Sequence, residues 1–168
     1  MYQKFKDSNG LMHWKINGFS NVSESGAATD GDLDVALALC LAAKQWGSSS
    51  TWDYAKEARI ICNKIYDKET ATNDGLFVLK PGDMWNDKAN PCYFTLASIK
   101  LFSQAQSDLK FESTRDWDKL YNGCVSFLKK SQKNGLWPDW SYWNGSVETN
   151  TYGCFCIIWG NCCNGRRI

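Results

Sequence analysis

Three carboxylates fall within the run Ala28-Thr29-Asp30-Gly31-Asp32-Leu33-Asp34-Val35-Ala36-Leu37-Ala38-Leu39, at Asp30, Asp32 and Asp34. They stand at the mouth of a strongly apolar helical segment. A single acid there has an ordinary explanation: it caps free N–H groups and meets the positive end of the helix dipole. Capping needs only one acid. Burying the others costs free energy unless they are hydrogen-bonded or bind something. Carboxylates in a restricted site are also what cleavage of a glycosidic bond requires. Asp34, about one turn into the helix, reads as a solvated first-turn acid.

The other residues with chemical reach are aromatic. Phe, Trp and Tyr make up 14% of the chain, with nine Trp. Trp fills cores, and its flat ring also matches the C–H faces of β-linked sugars. Cysteine is less suggestive. Cys40, Cys62, Cys92 and Cys124 sit singly in apolar segments and read as buried thiols. Cys154, Cys156, Cys162 and Cys163 crowd the end, where Cys-x-Cys followed by Cys-Cys fits no common zinc spacing. His13, the only histidine, reads as a surface or satisfied residue. No metal or cofactor is expected.

The elements that must position these groups are mainly helical. Residues 33–46 place Leu33, Ala36, Leu37, Cys40 and Leu41 on one face, and Gly47 stops that helix. Ser48 to Thr51 is a loop able to cap the next helix, 52–68, which carries Tyr54, Ala58, Ile61 and Ile65 at helical spacing. Thr70–Asp74 reads as polar loop. Residues 75–79 read as a short extended piece before the Pro81-Gly82 turn. Residues 91–105 open on Pro91, suited to a first helical position, and are apolar nearly all round. Residues 115–131 put Trp117, Leu120, Tyr121, Cys124, Val125 and Leu128 on one face. Residues 135–140 are an irregular aromatic loop.

Two hydrophobic helices, 33–46 and 91–105, alternate with two amphipathic ones, 52–68 and 115–131. The hydrophobic pair begins roughly 60 residues apart. The pattern predicts an all-α fold, in which inner and outer helices form part of a toroid.

Bulk properties narrow the partners. Lys plus Arg is 19 and Asp plus Glu 18, for a net charge of +1. No basic stripe is present, so nucleic acid is not an expected partner. No apolar run reaches about 18 residues, so no membrane span is expected. Met1 to Lys6 has no apolar core of a secretory signal; an exported protein would have lost its leader here.

Residues 28–46 resemble the signature of glycoside hydrolase family 8: Ala-Ser/Thr-Asp-Ala/Gly-Asp, then a helix with fixed small and aliphatic positions ending in Phe or Trp. Val35 stands where Ile or Met is usual, and Cys40 where an aliphatic residue or Gly is usual. Further segments agree in order. Gly10-Leu11-Met12-His13-Trp14 is similar to the family's Gly-Leu-x-x-Trp. Gly82-Asp83-Met84-Trp85 is similar to Gly-Asp-x-Trp, and Asn90-Pro91-Cys92-Tyr93-Phe94 to Asn-Pro-Ser-Tyr-Phe. Leu136-Trp137-Pro138-Asp139-Trp140 resembles Leu-x-Pro-Asp-Trp.

The resemblance implies an (α/α)6 toroid and an endo-acting, inverting hydrolase of β-1,4-glucan, with xylan or chitosan as substrates of some members. It implies that Asp30 is the acidic residue gripping the distorted sugar beside the cleaved bond. Asp32, Trp14, Trp85 and Tyr93 are then the expected substrate-binding residues. Trp137, Trp140 and Trp143, clustered near a Pro turn, are expected to pack. Secretion is implied by the family alone.

The family's general acid lies in a Ser-Glu-Gly-x-x-Tyr-Gly motif upstream of the signature, which is not found in these residues. Ser23-Glu24-Ser25-Gly26 echoes it without the Tyr-Gly continuation, in what reads as a loop before Asp30. The general base follows a Tyr-Gly pair in a Tyr-Asp-Ala-x-Arg motif. Here Tyr152-Gly153 is followed by Cys154-Phe155-Cys156. The expected organisation is therefore a partial catalytic domain over 1–153 and a Cys-rich tail over 154–168. The tail is expected to be out of register through a frameshift or a damaged gene end. An intact Tyr-Asp-Ala-x-Arg motif in another frame of the parent locus would support this, and its absence from every frame would defeat it. The expected partner is a β-1,4-linked polysaccharide or oligosaccharide. Weak or absent hydrolysis, glycan binding without chemistry, and self-association through open apolar faces are the further expectations.

Overall fold

The computed structural model describes residues 2–112 and 114–148. A 3-10 turn, Tyr2–Phe5, leads into a hairpin of β1 (His13–Asn17) and β2 (Asn21–Ala27). Helices α1 (Thr29–Trp46) and α2 (Tyr54–Lys68) follow as an antiparallel pair. Strands β3 (Thr70–Asn73) and β4 (Leu76–Leu79) form a second hairpin. After β5 (Lys88–Ala89) and a 3-10 turn at Pro91–Tyr93 come α3 (Leu96–Asp108) and α4 (Trp117–Ser131). Strand β6 (Ser141–Tyr142) returns to pair with β5.

The helices meet around one aromatic core. Trp117 of α4 is 1% exposed and lies edge-on to Phe102 of α3 at 5.3 Å and to Tyr66 of α2 at 5.2 Å. Such pairs add about 0.5–1.5 kcal/mol beyond area burial. Leu33, Ala36 and Cys40 of α1 are buried with Ile61, Cys62 and Ile65 of α2. The buried thiols of Cys40 and Cys62 face each other across that interface. The outer face of α1 is open, with Leu41 50% and Trp46 72% exposed.

The helical periodicity is realised, and the fold is helix-rich, but strands are interleaved where an all-α chain was expected. The expected polar loop at Thr70–Asp74 is mostly strand β3. Asp74 and Gly75 take φ of 49° and 74°, the left-handed pair that closes a two-residue hairpin turn. Ser23–Gly26 lies in β2 rather than a loop, with Glu24 paired to Lys15 at the surface.

The helix expected over 91–105 is broken. Asn90 caps the short turn by accepting the Cys92 N–H at 3.0 Å, and Phe94 at ψ 70° leaves helical geometry. That break turns the Phe94 ring inward against Phe127, 5.7 Å away. At the start of α2, Ser48 of the expected capping loop accepts the Ala55 N–H at 3.3 Å, and Asp53 accepts the Lys56 N–H at 2.9 Å. Cys92 is half-buried rather than buried. The described cysteines are free thiols. Residues 154–168, with the Cys-rich tail, lie outside the described residues.

Candidate functional site

Helix α1 begins without a side-chain cap. Its N-cap residue is Ala28, in extended geometry. Thr29 instead turns its hydroxyl outward from the helix to donate to the Lys80 carbonyl at 2.7 Å, while its own N–H donates to the Pro81 carbonyl at 3.0 Å. The segment 80–85 is thereby laced to the helix mouth. Gly82 makes this approach possible: a Cβ there would lie 2.1 Å from the Ala27 carbonyl oxygen. The Asp83 carboxylate completes the lacing, accepting the Ala27 N–H at 3.1 Å and the Asn9 amide at 2.7 Å.

The acids of the cluster separate into two environments. Asp30 is exposed, and its carboxylate accepts the Gly31 N–H at 2.9 Å. Partial burial raises its pKa and the neighbouring Asp34 adds to the rise, against the local N–H groups, which lower it. Asp32 is wholly buried, accepting the Met12 N–H at 2.9 Å, which fixes the segment leading to Trp14. Its carboxyl faces that of Glu69, also wholly buried, at the end of α2. Burial is the main cause that pushes Asp32 up to about 7, with Asp7 and Asp83 adding to it. Burial and then the charge of Asp32 push Glu69 well above the usual carboxylate range.

The aromatic residues are placed unevenly. Trp14 on β1 is 50% exposed, with Lys15 over its ring at 5.2 Å. Trp85 is 45% exposed and stacks on Trp140 at 5.5 Å, with planes 29° apart. Lys88 lies 5.2 Å from the Trp140 ring and pairs with Glu148 at 2.9 Å. Tyr93 is half-buried in the 3-10 turn. That turn is tied to the Pro138-Asp139-Trp140 loop: the Asn90 amide donates to Asp139 at 3.3 Å, and the Cys92 thiol lies 3.6 Å from the same oxygen.

Trp137 and Trp143 are packing residues whose indole N–H groups donate to Leu128 and Asn86 carbonyls, at 2.8 and 3.0 Å. His13 is half-buried, and its Nδ1 is buried without a hydrogen-bond partner.

Hydrogen bonds and stacking thus join the sequence segments 10–14, 28–32 and 80–85, and separately 85, 90–94 and 136–140. Asp30 and Trp14, Trp85 and Tyr93 all reach the solvent, and Asp32 does not. Sequence reasoning missed Glu69, Lys80 and Asp83. Asp83 lies inside the Gly82-Asp83-Met84-Trp85 segment and Lys80 two residues before it, but a single Glu at a helix end carries no pattern that marks it for burial. Among the described residues no group of His, Cys, Asp and Glu is arranged to hold a metal.

The scaffold is helix-rich, with an acidic helix mouth and exposed tryptophans. The chain belongs to glycosyl hydrolases family 8, whose family model matches residues 2–153. It is 39% identical over 149 residues to Endoglucanase 2 of Ruminiclostridium josui, covering 84% of this chain and 31% of that protein. It is 40% identical over 146 residues to Endoglucanase A of Acetivibrio thermocellus, covering 83% and 30%. The apo structure of a beta-1,3-1,4-glucanase from Paenibacillus sp. X4 superposes with TM-score 0.70 at 30% identity, covering 84% of this chain and 39% of that one. The chain spans about a third of the length of the curated relatives it matches.

Proposed function

We propose that this chain supplies the sugar-gripping part of a β-1,4-glucanase-type catalytic domain, built as a segment of an (α/α)6 toroid over residues 1–153, with the sequence of residues 154–168 departing from the family pattern. The observation that carries this is Asp30: a solvent-facing carboxylate at an uncapped helix mouth, with its pKa raised. Trp14 and Trp85 offer half-exposed ring faces for neighbouring sugar units, and Tyr93 lies in the turn tied to the Trp140 loop. The endoglucanase names of the relatives favour glucan as the substrate. An extracellular polysaccharide is the corresponding partner. No described helix is long and apolar enough to cross a membrane.

In an inverting hydrolase, one protonated acid serves the leaving group while a carboxylate base activates water on the opposite face of the sugar. Asp30 supplies neither role in this proposal. It holds the distorted sugar between them. The family's acid and base motifs are not found in these 168 residues, so the chain alone binds oligosaccharide and hydrolyses it weakly or not at all. Titration with cellopentaose, followed by Trp fluorescence, tests the binding. Saturable quenching or enhancement that is lost in Asp30→Ala and Trp85→Ala is the expected result. A flat titration of the folded wild-type chain overturns it. Release of reducing ends from carboxymethyl cellulose at an ordinary enzymatic rate would overturn the second half.

A further inference from the structure

The Asp32–Glu69 contact joins two buried carboxyls, and among the described residues Lys80 is the cation that acts on Glu69. Among the described residues, only Asp32 Oδ1 of their four oxygens receives a donor from elsewhere, the Met12 N–H at 2.9 Å; Asp32 Oδ2 and both Glu69 oxygens are buried without one. Thr29 lies beside Glu69, but its hydroxyl proton goes to the Lys80 carbonyl at 2.7 Å. The Lys80 ammonium is nearby and donates instead to the Asp83 carbonyl at 2.6 Å and to Asn86 at 3.2 Å. The remaining charged groups facing the pair, Asp7 and Asp83, are themselves acidic. Two acceptors in contact, without an outside donor, need a proton between them, because two adjacent buried charges of one sign cannot both persist.

The pair is also where three segments of the site are anchored. Asp32 holds Met12, two residues before Trp14. It lies two residues after Asp30, in the same helical turn. The Glu69 carbonyl accepts the Lys80 N–H at 2.7 Å, at the head of the segment that carries Trp85.

We propose that Asp32 and Glu69 share one proton, and that this proton-linked pair is the positioning element that sets Trp14, Asp30 and Trp85 relative to one another. Neither residue touches sugar. The positioning role rests on the glycan-gripping function proposed above, whereas the shared proton does not. As pH rises Asp32 ionises first, with Glu69 keeping the proton and donating it to Asp32. The groups' pKa values are raised, so the folded chain binds more protons than the unfolded one. Stability is therefore full below the ordinary carboxylate range and is lost as pH rises through about 7 and beyond.

The test uses the 168-residue chain, Glu69→Gln and Glu69→Ala. Gln keeps a donor toward Asp32 but has no proton to lose. Thermal unfolding is followed by circular dichroism from about pH 5 to about pH 9. The wild-type midpoint is expected to fall by about 5 °C or more on the alkaline side, and the Glu69→Gln midpoint by less than half of that. A Glu69→Gln curve that tracks the wild type overturns the shared proton.

In the second arm, cellopentaose affinity read by Trp fluorescence is expected to weaken about tenfold in Glu69→Ala and to stay within about twofold of wild type in Glu69→Gln. Unchanged affinity in Glu69→Ala, or equal loss in both variants, overturns the positioning role. If Glu69→Ala does not fold, loss of affinity in Glu69→Gln overturns it and retention supports it. A wild-type chain that binds no cellopentaose, but melts as described, removes the glycan function and the positioning role while the shared proton stands.

Discussion

The indole of Trp85 lies on that of Trp140, with ring centroids 5.5 Å apart and planes 29° from parallel. Trp85 keeps 45% of its surface exposed in this arrangement, so one ring braces while the other faces outward. Lys88 stands 5.2 Å from the Trp140 ring, held there by Glu148. The stack is a supported platform and not two independent side chains.

Removing the outward ring should therefore affect binding more than folding. Trp85→Ala is expected to weaken cellopentaose binding about tenfold, or roughly 1.4 kcal/mol, by calorimetry. Trp140→Ala should weaken binding to a smaller extent and also lower the melting midpoint, because it removes the brace.

Two helical glycines should respond with opposite signs to the same change. A Cβ on Gly123 of α4 would lie 1.9 Å from the Phe77 carbonyl oxygen of β4, with backbone on both sides of the contact. Gly123→Ala is expected to destabilise by about 2–3 kcal/mol, as overpacking does. Gly31 of α1 has nothing within 4 Å. Gly31→Ala should stabilise by roughly 0.5 kcal/mol through helix propensity. Urea unfolding of both variants checks the contrast, and equal effects would refute it.

Asp30 should reveal a conflict between stability and function. Its pKa is raised in the fold, chiefly by burial, so its ionised form is disfavoured there. The contribution is full below the ordinary carboxylate range and is lost as pH rises through the folded value. Asp30→Asn should accordingly melt higher than wild type at neutral pH, with the gap closing toward about pH 3. Its cellopentaose affinity should drop at the same time. A variant that is no more stable at neutral pH would sink the electrostatic part of this account.

The open face of α1 should govern association. Leu41 and Trp46 are 50% and 72% exposed, on a helix whose other side is core. Leu41→Glu combined with Trp46→Ser is expected to lower the weight-average mass in sedimentation velocity, with little change in the melting midpoint. A wild-type chain that is already monomeric at high concentration would remove the basis for this expectation.

The helices were legible because their apolar spacing survives in the structure: Leu33, Ala36 and Cys40 are buried together, as are Leu120, Cys124 and Leu128. The motif residues at the loops were legible by resemblance to a family. Three features were not. The Asp74-Gly75 turn signal was present, but the polar residues before it masked a strand whose pairing depends on β4. The break at Phe94 sets one ring against Phe127, a contact remote in sequence. The fate of Asp32 depends on Glu69, a residue 37 positions away by their numbers, and nothing local distinguishes that glutamate from a solvated one. Long-range partnership, and not local preference, decided each of these.

Gly82 has an evolutionary consequence. The space where its side chain would begin is already occupied by the Ala27 carbonyl oxygen, 2.1 Å from the ideal Cβ position. No rotamer choice relieves such a clash, because the Cβ position is common to every other residue. In a saturation library screened for folded chains, this codon should return glycine almost alone. The neighbouring Met84, 67% exposed, should drift freely. A strict and a permissive position two residues apart would record, in sequence variation alone, how closely this loop is pressed onto the mouth of α1.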